Sequence, residues 1–539
     1  MHAGPKSENH MTPSIINGFL QNAKQAPSAP ALFVQDAFYS YADLAAAGAS
    51  IREALVAQAA TEELIGVFAY RSLPMFIGIL GTLMAGKCYV PLNPTFPAKR
   101  LKSVVLRSGM RLVLTEEKYL DQILEVLQAC EGTYVLLVVD ALAAGSFAAG
   151  NVVVHNQQHT EARALEPQAL RPVEVQDNGF AYLLFTSGST GDPKGVGITH
   201  ANVNFFVNAV QRKYRFAASD RFSQLFDFTF DLSAFDMFVA WSAGAAVYCP
   251  PKEECLAPVK FVKKHELTVW FSVPSTGVLM ARFDFLKPGN LPSLRFALFC
   301  GEALLCDTAR QFLAAAPQAL VENLYGPTEA TIAFTAYPCT QASLDEKCRN
   351  GVVPIGKPFE GLVAAVVDEN LRPLPRGEVG ELCLGGAQIA PGYWEGEALT
   401  RAKFLSLPHA GAPEIPWYRT GDLAYCDADG DLFFLGRKDD QIQIAGYRVE
   451  LGEIEHVLRQ ATGISHVAAI GWRQAPNHPL CVVAFVAGRI VDSAAIIERC
   501  AESLPNYMVP HKICSIVSMP LNSNGKIDRN TLAQMVTGA

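Results

Sequence analysis

The densest group of side chains that could bind phosphate is one short segment, residues 183–196, with the sequence LLFTSGSTGDPKGV. A predicted strand ends at Phe185, and hydroxyl residues and glycines follow it as far as Lys194. Glycine lets the main chain approach a ligand closely, N–H and hydroxyl groups donate to phosphate oxygens, and lysine adds a point charge. The segment therefore predicts a polyphosphate site. The alternative is a flexible surface loop.

Two common nucleotide motifs do not fit this segment. The P-loop pattern G-x-x-x-x-G-K-[ST] needs glycine where Pro193 stands, and Ser or Thr where Gly195 stands. The dinucleotide pattern G-x-G-x-x-G fails because His200 occupies the third glycine position. The site is thus predicted to bind phosphate in a different way from both motifs.

The segment resembles the phosphate-binding signature of the adenylate-forming superfamily, which includes acyl-CoA ligases, luciferases and the adenylation domains of nonribosomal peptide synthetases. Further blocks of that family follow in the family's order, and together they cover the chain from FYSY at 38–41 to Arg529. These blocks are NLYGPTE at 323–329, GEL at 380–382, GYW at 392–394, YRTGD at 418–422, LGRKDDQ at 435–441, GYRVEL at 446–451 and NGKIDR at 524–529.

The resemblance implies ATP and Mg²⁺ as cofactors and four catalytic residues. Residues 186–194, including Lys194, would hold the β- and γ-phosphates, and Thr328 would contact the α-phosphate. Glu329 would help to hold Mg²⁺, for which a carboxylate is a suitable ligand. Lys526 would bridge the substrate carboxylate and the phosphate as the adenylate forms. Outside their motifs, Glu329 and Lys526 would be read as ordinary surface charges.

At the nucleoside end, the resemblance implies that Asp422 accepts the ribose hydroxyls and that Arg437 assists there. Without its motif, Asp422 could simply be a turn residue after Gly421. The full set of nucleotide contacts implied by the resemblance is Thr186, Ser187, Gly188, Ser189, Thr190, Gly191, Lys194, Gly301, Glu302, Ala303, Asn323, Tyr325, Gly326, Thr328, Asp422, Phe434, Arg437 and Lys526.

The block FDLSAFD at 230–236 resembles the one that supplies an aspartate for the substrate ammonium in domains that activate α-amino acids. A buried carboxylate paired with an ammonium is physically sensible, and acyl-CoA ligases have no such need. Asp231 therefore favours an amino acid as substrate. The alternative role for Asp231 is to cap a helix N-terminus.

The remaining substrate positions carried over from the family are apolar or weakly polar, so a charged substrate side chain would lie among them unpaired. A small neutral amino acid is expected, with L-proline as the lead and D-alanine, alanine, serine or cysteine as alternatives. An acyl- or aryl-CoA ligase and a non-catalytic nucleotide-binding regulator are the other readings. The positions are Asp231, Leu232, Phe235, Ser272, Leu298, Cys300, Leu324, Ile332 and Ala333, with Lys526 at the carboxylate end.

The resemblance also implies two domains, an adenylation core at 1–438 and a mobile lid at 439–539. Asp439 would be the hinge about which the lid rotates to present a second catalytic face. Gly446 would then lie beside the path of a pantetheine arm. One departure concerns the charge of that second face, because family members often carry basic residues where this sequence has Gln443 and Ala445.

No phosphopantetheine attachment motif of the Gly-Gly-x-Ser type is found in the 539 residues. The chain therefore resembles a free-standing adenylation domain, like the prolyl- and D-alanyl-carrier-protein ligases. A separate carrier protein with a phosphopantetheine arm is the expected partner.

Composition and charge restrict the other possible partners. A net charge of −8 without a compensating basic cluster argues against nucleic acid. The longest apolar run, residues 72–86, is shorter than the ~20 residues that cross a bilayer, so a buried helix is expected there. No signal-like segment is apparent, and a cytoplasmic location is expected. The 13 cysteines form no C-x-x-C pair, so neither disulfides nor structural zinc are expected.

The predicted fold class is α/β, with a β-rich subdomain from about Gly351 and a small α+β C-terminal domain. Helical patterns alternate with short apolar runs in the first four-fifths of the chain, which is typical of parallel or mixed sheets covered by helices. The predicted strands are 64–68, 111–114, 134–139, 181–185, 269–273, 295–299, 466–471 and 480–486, and the predicted C-terminal helices are 454–460 and 494–504.

Overall fold

The computed structural model describes residues 11–58, 61–141, 143–158, 167–188, 192–255, 257–409, 412–475, 478–521 and 527–537. The main sheets of this part of the chain are two nine-stranded sheets, a five-stranded β unit and a three-stranded C-terminal sheet, and helices accompany the large sheets. The predicted α/β class is confirmed.

The first large sheet carries the segment predicted to bind phosphate. Its central strands are parallel, whereas Phe180–Thr186 and Lys194–Thr199 form an antiparallel pair. In spatial order the strands are Tyr393–Trp394, Lys194–Thr199, Phe180–Thr186, Cys88–Leu92, Leu64–Phe68, Leu112–Thr115, Tyr134–Ala141, Val152–Gln158 and Gly145–Ala149.

The second large sheet carries the positions predicted to bind the amino acid. It is parallel at its centre and antiparallel at both edges, which is consistent with burial by helices. Its strands, in spatial order, are Lys357–Pro358, Thr335–Cys339, Leu320–Tyr325, Phe296–Phe299, Val269–Ser272, Arg221–Ser223, Ala246–Cys249, Pro30–Val34 and Ala37–Ser40.

The helices follow the apolar periodicity of the sequence. The apolar run at 72–86 forms the helix Leu73–Met84, which is buried among the other elements as expected. The other helices of eight or more residues are Asn17–Gln25, Tyr41–Gln58, Ala98–Ser108, Leu120–Gln128, His200–Tyr214, Pro274–Arg282, Cys306–Ala315, Leu451–Thr462, Ser493–Ala501 and Arg529–Thr537.

Shorter helices lie between these elements. Residues 232–242 are helical throughout and include one π-helical stretch, Phe235–Val239. The remaining short helices are Val259–His265, Gln341–Lys347 and Glu397–Lys403, with 3₁₀ turns at Glu117–Tyr119, Pro167–Leu170, Lys252–Glu254 and Thr328–Ala330.

The β-rich region predicted from about Gly351 is a separate antiparallel sheet. Its strands are Val363–Val367, Gly380–Gly385, Ala412–Cys426, Phe404–His409 and Leu432–Arg437. Two further antiparallel pairs of strands are present. Met11–Pro13 pairs with Glu174–Gln176 in the main body, and Gln441–Ile444 pairs with Tyr447–Glu450 at the start of the C-terminal part.

The C-terminal sheet consists of Val467–Trp472, Cys481–Ala487 and Lys512–Ile516. Its predicted strands and helices lie within a few residues of the observed ones. Two apolar clusters made only of residues after position 440 hold it together. A domain boundary at Asp439 agrees with this separation and stays a prediction.

One expectation about cysteine is wrong. Cys306 and Cys348 are paired as a disulfide, with Cα atoms 6.4 Å apart, and the other described cysteines are free. The two lie 42 residues apart, at the start of the helix Cys306–Ala315 and just after the helix Gln341–Lys347. Tertiary packing of these helices brings them together, which motif spacing could not reveal. In the described ranges, no helix has the length and apolarity needed to cross a membrane.

Candidate functional site

A cavity of about 480 Å³ lies where the second large sheet, the five-stranded unit and the C-terminal part meet. It brings together many of the predicted nucleotide contacts and three of the predicted amino-acid contacts, Asp231, Leu232 and Leu324. The predicted residues that line it are Thr186, Ser187, Asp231, Leu232, Gly301, Glu302, Ala303, Asn323, Leu324, Tyr325, Gly326, Thr328, Asp422, Phe434, Arg437, Asp439 and Gly446.

Other predicted positions lie behind the cavity wall or beyond what can be described. Lys194, Gly188 and Glu329 are neighbours of the lining without belonging to it. Six predicted substrate positions are also buried without lining the cavity. They are Phe235, Ser272, Leu298, Cys300, Ile332 and Ala333. The predicted residues Ser189, Thr190, Gly191 and Lys526 lie outside the described residues.

At the nucleoside end, Asp422 and Arg437 are opposite each other on paired strands. Arg437 Nη1 donates to Asp422 Oδ1 at 2.7 Å, and the Tyr325 hydroxyl donates to Asp422 Oδ2. Burial raises the pKa of Asp422, although the Arg437 charge opposes that shift. Arg437 also reaches Asp439 at 2.6 Å, so the predicted ribose pair and the predicted hinge are connected.

At the phosphate end, Glu329 has no exposed surface. Arg448 Nη1 donates to both of its carboxylate oxygens at 2.8 and 2.9 Å, and the Tyr393 hydroxyl donates to Oε1 at 2.7 Å. Burial alone would raise the pKa of Glu329, but Arg448 and Lys194 outweigh burial and lower it to about 2. Glu329 is therefore ionised at neutral pH and neutralised by a guanidinium of this chain.

Two other residues predicted to bind phosphate, Ser187 and Lys194, also contact the turn that contains Arg448. We call residues 444–450 the lid turn. Ser187 Oγ donates to the Arg448 carbonyl at 2.6 Å and accepts from the Glu450 N–H at 3.2 Å. Lys194 Nζ lies 3.6 Å from Glu450 Oε1. The lid turn thus places the Glu450 carboxylate next to Lys194 and the Arg448 guanidinium next to Glu329, the predicted metal ligand.

The donor set fits Mg²⁺ held jointly with phosphate. Mg²⁺ is commonly bound by one or two carboxylates plus substrate phosphates and waters. Among the residues described, no three His, Cys, Asp or Glu side chains are grouped to hold a metal by themselves. Glu329 would be the protein ligand, and binding a metal would require Arg448 to release it.

At the amino-acid end, Asp231 is 5% exposed and its Oδ2 accepts from the Ile332 N–H at 3.0 Å. It stands at the N-cap position of a helical turn without making a side-chain cap bond, so capping is not its role here. Thr331 and Ile332 both have positive φ angles, which are rare for β-branched residues and turn the Ile332 N–H toward Asp231. Burial raises the pKa of Asp231 to about 7.

The predicted pocket walls offer little polarity. The Ser272 hydroxyl accepts from Trp270 Nε1 at 2.9 Å and donates to the Val273 carbonyl at 3.0 Å, so both of its capacities are used locally. Burial raises the pKa of the Cys300 thiol, which keeps it neutral. Leu298 and Leu324 are fully or almost fully buried. A charged substrate side chain would find no counter-charge among these groups.

Several residues at the site were not assigned a role from the sequence. Arg448 and Glu450 lie in the block GYRVEL, and Tyr393 lies in GYW, so these positions were noted without a function. Phe230 and Tyr447 pack edge to face with ring centroids 4.3 Å apart at the cavity. All of these residues lie in motifs that were identified from the sequence, but the groups that they contact are known only from the fold.

We expect Lys194 to titrate below the usual range of lysine. Burial first, and then the Arg448 charge, lower the pKa of Lys194 to about 8 against the opposing carboxylates. An amine-acylating reagent reacts with the neutral amine, so labelling of Lys194 should rise about tenfold per pH unit up to about pH 8 and then level off. Mass spectrometry of the labelled peptide measures this. In Arg448→Met the midpoint should rise, and a wild-type midpoint near 10.5 would contradict the geometry.

Comparison with known protein families gives two matches. Residues 19–394 match the model described as AMP-binding enzyme, and residues 453–526 match the model of the AMP-binding enzyme C-terminal domain. The two matches together span most of the chain.

Relatives include tyrocidine synthase 3 of Brevibacillus parabrevis, 33% identical over 531 residues, or 96% of this chain and 7% of its own length. Zwittermicin A synthase ZmaJ of Bacillus cereus is 32% identical over 88% of this chain and 85% of its own length. The chain spans only 6% to 9% of the length of the four large synthases that it matches at 32–34% identity.

Among solved structures, the Vibrio cholerae adenylation domain AlmE, in complex with glycyl-adenosine-5′-phosphate, superposes with a TM-score of 0.86. It is 29% identical, and the match covers 100% of both chains. The structure of IdnL7 matches with a TM-score of 0.69 and 33% identity over 97% of this chain and 99% of its own.

Proposed function

Because the chain belongs to the AMP-binding enzymes and is an AMP-forming ligase of the amino-acid-adenylating type, we propose that it activates a small neutral amino acid. ATP and the amino acid would give an aminoacyl adenylate and pyrophosphate. The aminoacyl group would then pass to the phosphopantetheine thiol of a carrier protein. L-Proline is our lead substrate.

The observation that carries this proposal is the placement of Asp231. A carboxylate that is 5% exposed lies at one end of the cavity, and the ribose pair Asp422 and Arg437 lies in the same cavity. A buried carboxylate needs a cationic partner, and no lysine or arginine among the described residues bonds to it. The ammonium of an α-amino acid would supply that partner next to the site of adenylation.

Two functions follow for the residues of this chain. Asp231 would bind and orient the ammonium, so that the substrate carboxylate faces the phosphate end of the cavity. Lys194 and the N–H and hydroxyl groups near Ser187 would stabilise negative charge on the leaving pyrophosphate. Bound ATP and Mg²⁺ supply the reactive phosphorus and its charge neutralisation. Lys526 stays a prediction from the motif.

The size and neutrality of the substrate rest on the wall that the predicted positions form. Leu232 and Leu324 line the cavity, and Leu298 and Ile332 are buried without lining it. Together these four side chains would give a mostly aliphatic environment, which would suit the pyrrolidine ring of proline. Glycyl-adenylate, bound by the neighbour AlmE, belongs to the same small neutral class. D-Alanine, alanine, serine and cysteine would meet the same wall.

The test is amino-acid-dependent ATP–pyrophosphate exchange over all proteinogenic amino acids and D-alanine. We expect one small neutral amino acid, with proline first, to dominate the panel. Preference for a charged amino acid would overturn the proposed substrate class. Exchange with no amino acid but with a simple carboxylic acid would overturn amino-acid activation.

The pH dependence of activation is expected to follow Asp231. Its pKa of about 7 leaves the carboxyl protonated below that pH, where it cannot pair with an ammonium. kcat/KM for the amino acid should therefore fall about tenfold per pH unit below pH 7 and level off above it. Exchange rates at subsaturating amino acid measure this profile. A flat profile between about pH 5.5 and 8 would contradict the role of Asp231.

A further inference from the structure

We propose that Glu302 is a positioning residue that holds the lid turn against the amino-acid pocket while the aminoacyl group is transferred to a thiol. The inference rests on the proposed function, since it concerns the second step of that reaction. Glu302 Oε1 accepts from the Gly446 N–H at 3.0 Å, and Oε2 accepts from the Ser275 N–H at 2.9 Å. One carboxylate therefore joins the main body to the lid turn.

Gly446 has no room for a side chain where the lid turn meets the main body. Gly446 has φ +83°, and a Cβ added there would overlap Val273 Cγ1. A Cβ added at Gly301 would lie 3.8 Å from the Cα of Gly446. The bond from Gly446 to Glu302 is therefore made by backbone that approaches the pocket directly, and a charged acceptor makes such a bond stronger than a neutral one.

Aromatic packing beside this bond does not fix the position of the turn by itself. Tyr447 stacks on Tyr507 with centroids 3.6 Å apart and packs edge to face on Phe230 at 4.3 Å. Stacked rings tolerate sliding, whereas a hydrogen bond to a carboxylate is directional. Glu302 is thus the contact that sets where Gly446 stands relative to the pocket.

The other polar contacts described above for the lid turn lie at the predicted phosphate end. The Arg448 guanidinium donates to the Glu329 carboxylate. The Ser187 hydroxyl donates to the Arg448 carbonyl and accepts from the Glu450 N–H. Those groups are the ones predicted to bind phosphate and Mg²⁺, so their hold on the turn competes with the nucleotide. Glu302 holds the turn at the pocket end, where the thiol must arrive.

This placement gives Glu302, which also lines the cavity, a different proposed role from the nucleotide contact that the resemblance implied. Both of its carboxylate oxygens already accept from backbone N–H groups. A carboxylate facing nucleotide phosphates would also meet like charge. We therefore assign Glu302 to the lid turn.

The first test needs no substrate. Hydrogen–deuterium exchange of the full chain, read on peptides covering 445–451, reports protection of the Gly446 amide. Loss of a hydrogen bond to a charged acceptor should speed its exchange about 10- to 100-fold in Glu302→Ala, with a smaller effect in Glu302→Gln, which keeps one carbonyl oxygen. Unchanged protection in Glu302→Ala would overturn the proposal.

The second test measures both steps with the amino acid selected by the exchange panel. Transfer from the adenylate to pantetheine in a single turnover should fall about tenfold or more in Glu302→Ala, and ATP–pyrophosphate exchange should fall several-fold less. Equal losses in both steps would mean that Glu302 serves the nucleotide, and would overturn the proposal. Melting temperatures show whether either variant has lost the fold, and Glu302→Gln replaces Glu302→Ala if it has.

A double variant tests whether Glu302 acts through Gly446. Gly446→Ala should block docking by overlap with Val273. Glu302→Ala should then cause no further loss of pantetheine transfer in the Gly446→Ala background, because the shared contact is already gone. Additive losses would place the role of Glu302 elsewhere. If the panel finds no amino acid, the proposed function fails while the deuterium-exchange result still decides the contact.

Discussion

Asp231→Ala is expected to reduce amino-acid-dependent ATP–pyrophosphate exchange by about 10²- to 10⁴-fold, because removing one partner of a buried ion pair costs about 3–5 kcal/mol. The carboxylate is 5% exposed, it lines the cavity, and it is the described acid that we propose to bind the substrate ammonium. The loss should appear as a higher KM for the amino acid and a lower kcat. KM for ATP should change much less, since the ribose pair is intact.

Asp236→Asn is the matched control for this variant. Asp236 lies five residues further along the same helical segment and is equally buried, but it does not line the cavity. Burial raises the pKa of Asp236 well above its usual range, which favours the protonated form, and asparagine is a close substitute for that form. We expect near-normal exchange in Asp236→Asn. Full activity in Asp231→Ala would instead favour a carboxylic acid without an amino group as the substrate.

The same comparison between Asp231 and Asp236 shows what the sequence could supply. Both aspartates stand in the block FDLSAFD, and resemblance to a known motif selected the first as the ammonium ligand. Asp231 lines the cavity and Asp236 does not, and this difference depends on the helical segment at 232–242. The π-helical stretch in that segment was not predicted from the sequence. The α/β class and the buried helix 73–84 followed from local periodicity alone, because apolar runs of different length and spacing separate strands from helices.

Contacts between distant segments were the part that sequence could not supply. Arg448 and Glu329 are 119 residues apart, and Glu302 and Gly446 are 144 apart. A motif identifies the residues within it. The contacts between residues of different motifs depend on how the C-terminal part packs against the main body. The Cys306–Cys348 pair was missed for the same reason, since two helices must pack before the thiols meet.

Arg448→Met is expected to slow transfer to pantetheine by about 10²-fold or more while exchange is retained, because breaking the buried pair removes about 3–5 kcal/mol from the docked lid turn. Arg448 occupies both oxygens of Glu329, and Glu450 lies on Lys194. In the proposed function, adenylation would use these groups for phosphate and metal, whereas transfer to a thiol would use the lid turn in its place against the pocket. The variant should therefore separate the two steps.

Arg295→Met serves as the control for loss of an arginine–carboxylate pair. Arg295 bonds Asp220 at 2.6 Å, at a position that does not line the cavity. That variant should lower stability without altering the ratio of transfer to exchange. Single-turnover transfer and steady-state exchange on the same preparations measure the ratio.

Glu329 gives this prediction a second, independent readout. Without Arg448, burial is less opposed and the pKa of Glu329 should rise, since Arg448 is the first of the groups that lower it. The Mg²⁺ concentration needed for half-maximal exchange should then increase as pH falls toward that pKa, and the wild type should show a weaker dependence. If exchange and transfer fall together in Arg448→Met at every Mg²⁺ concentration, Arg448 is required for adenylation itself. The competition between the lid turn and the phosphates would then not exist.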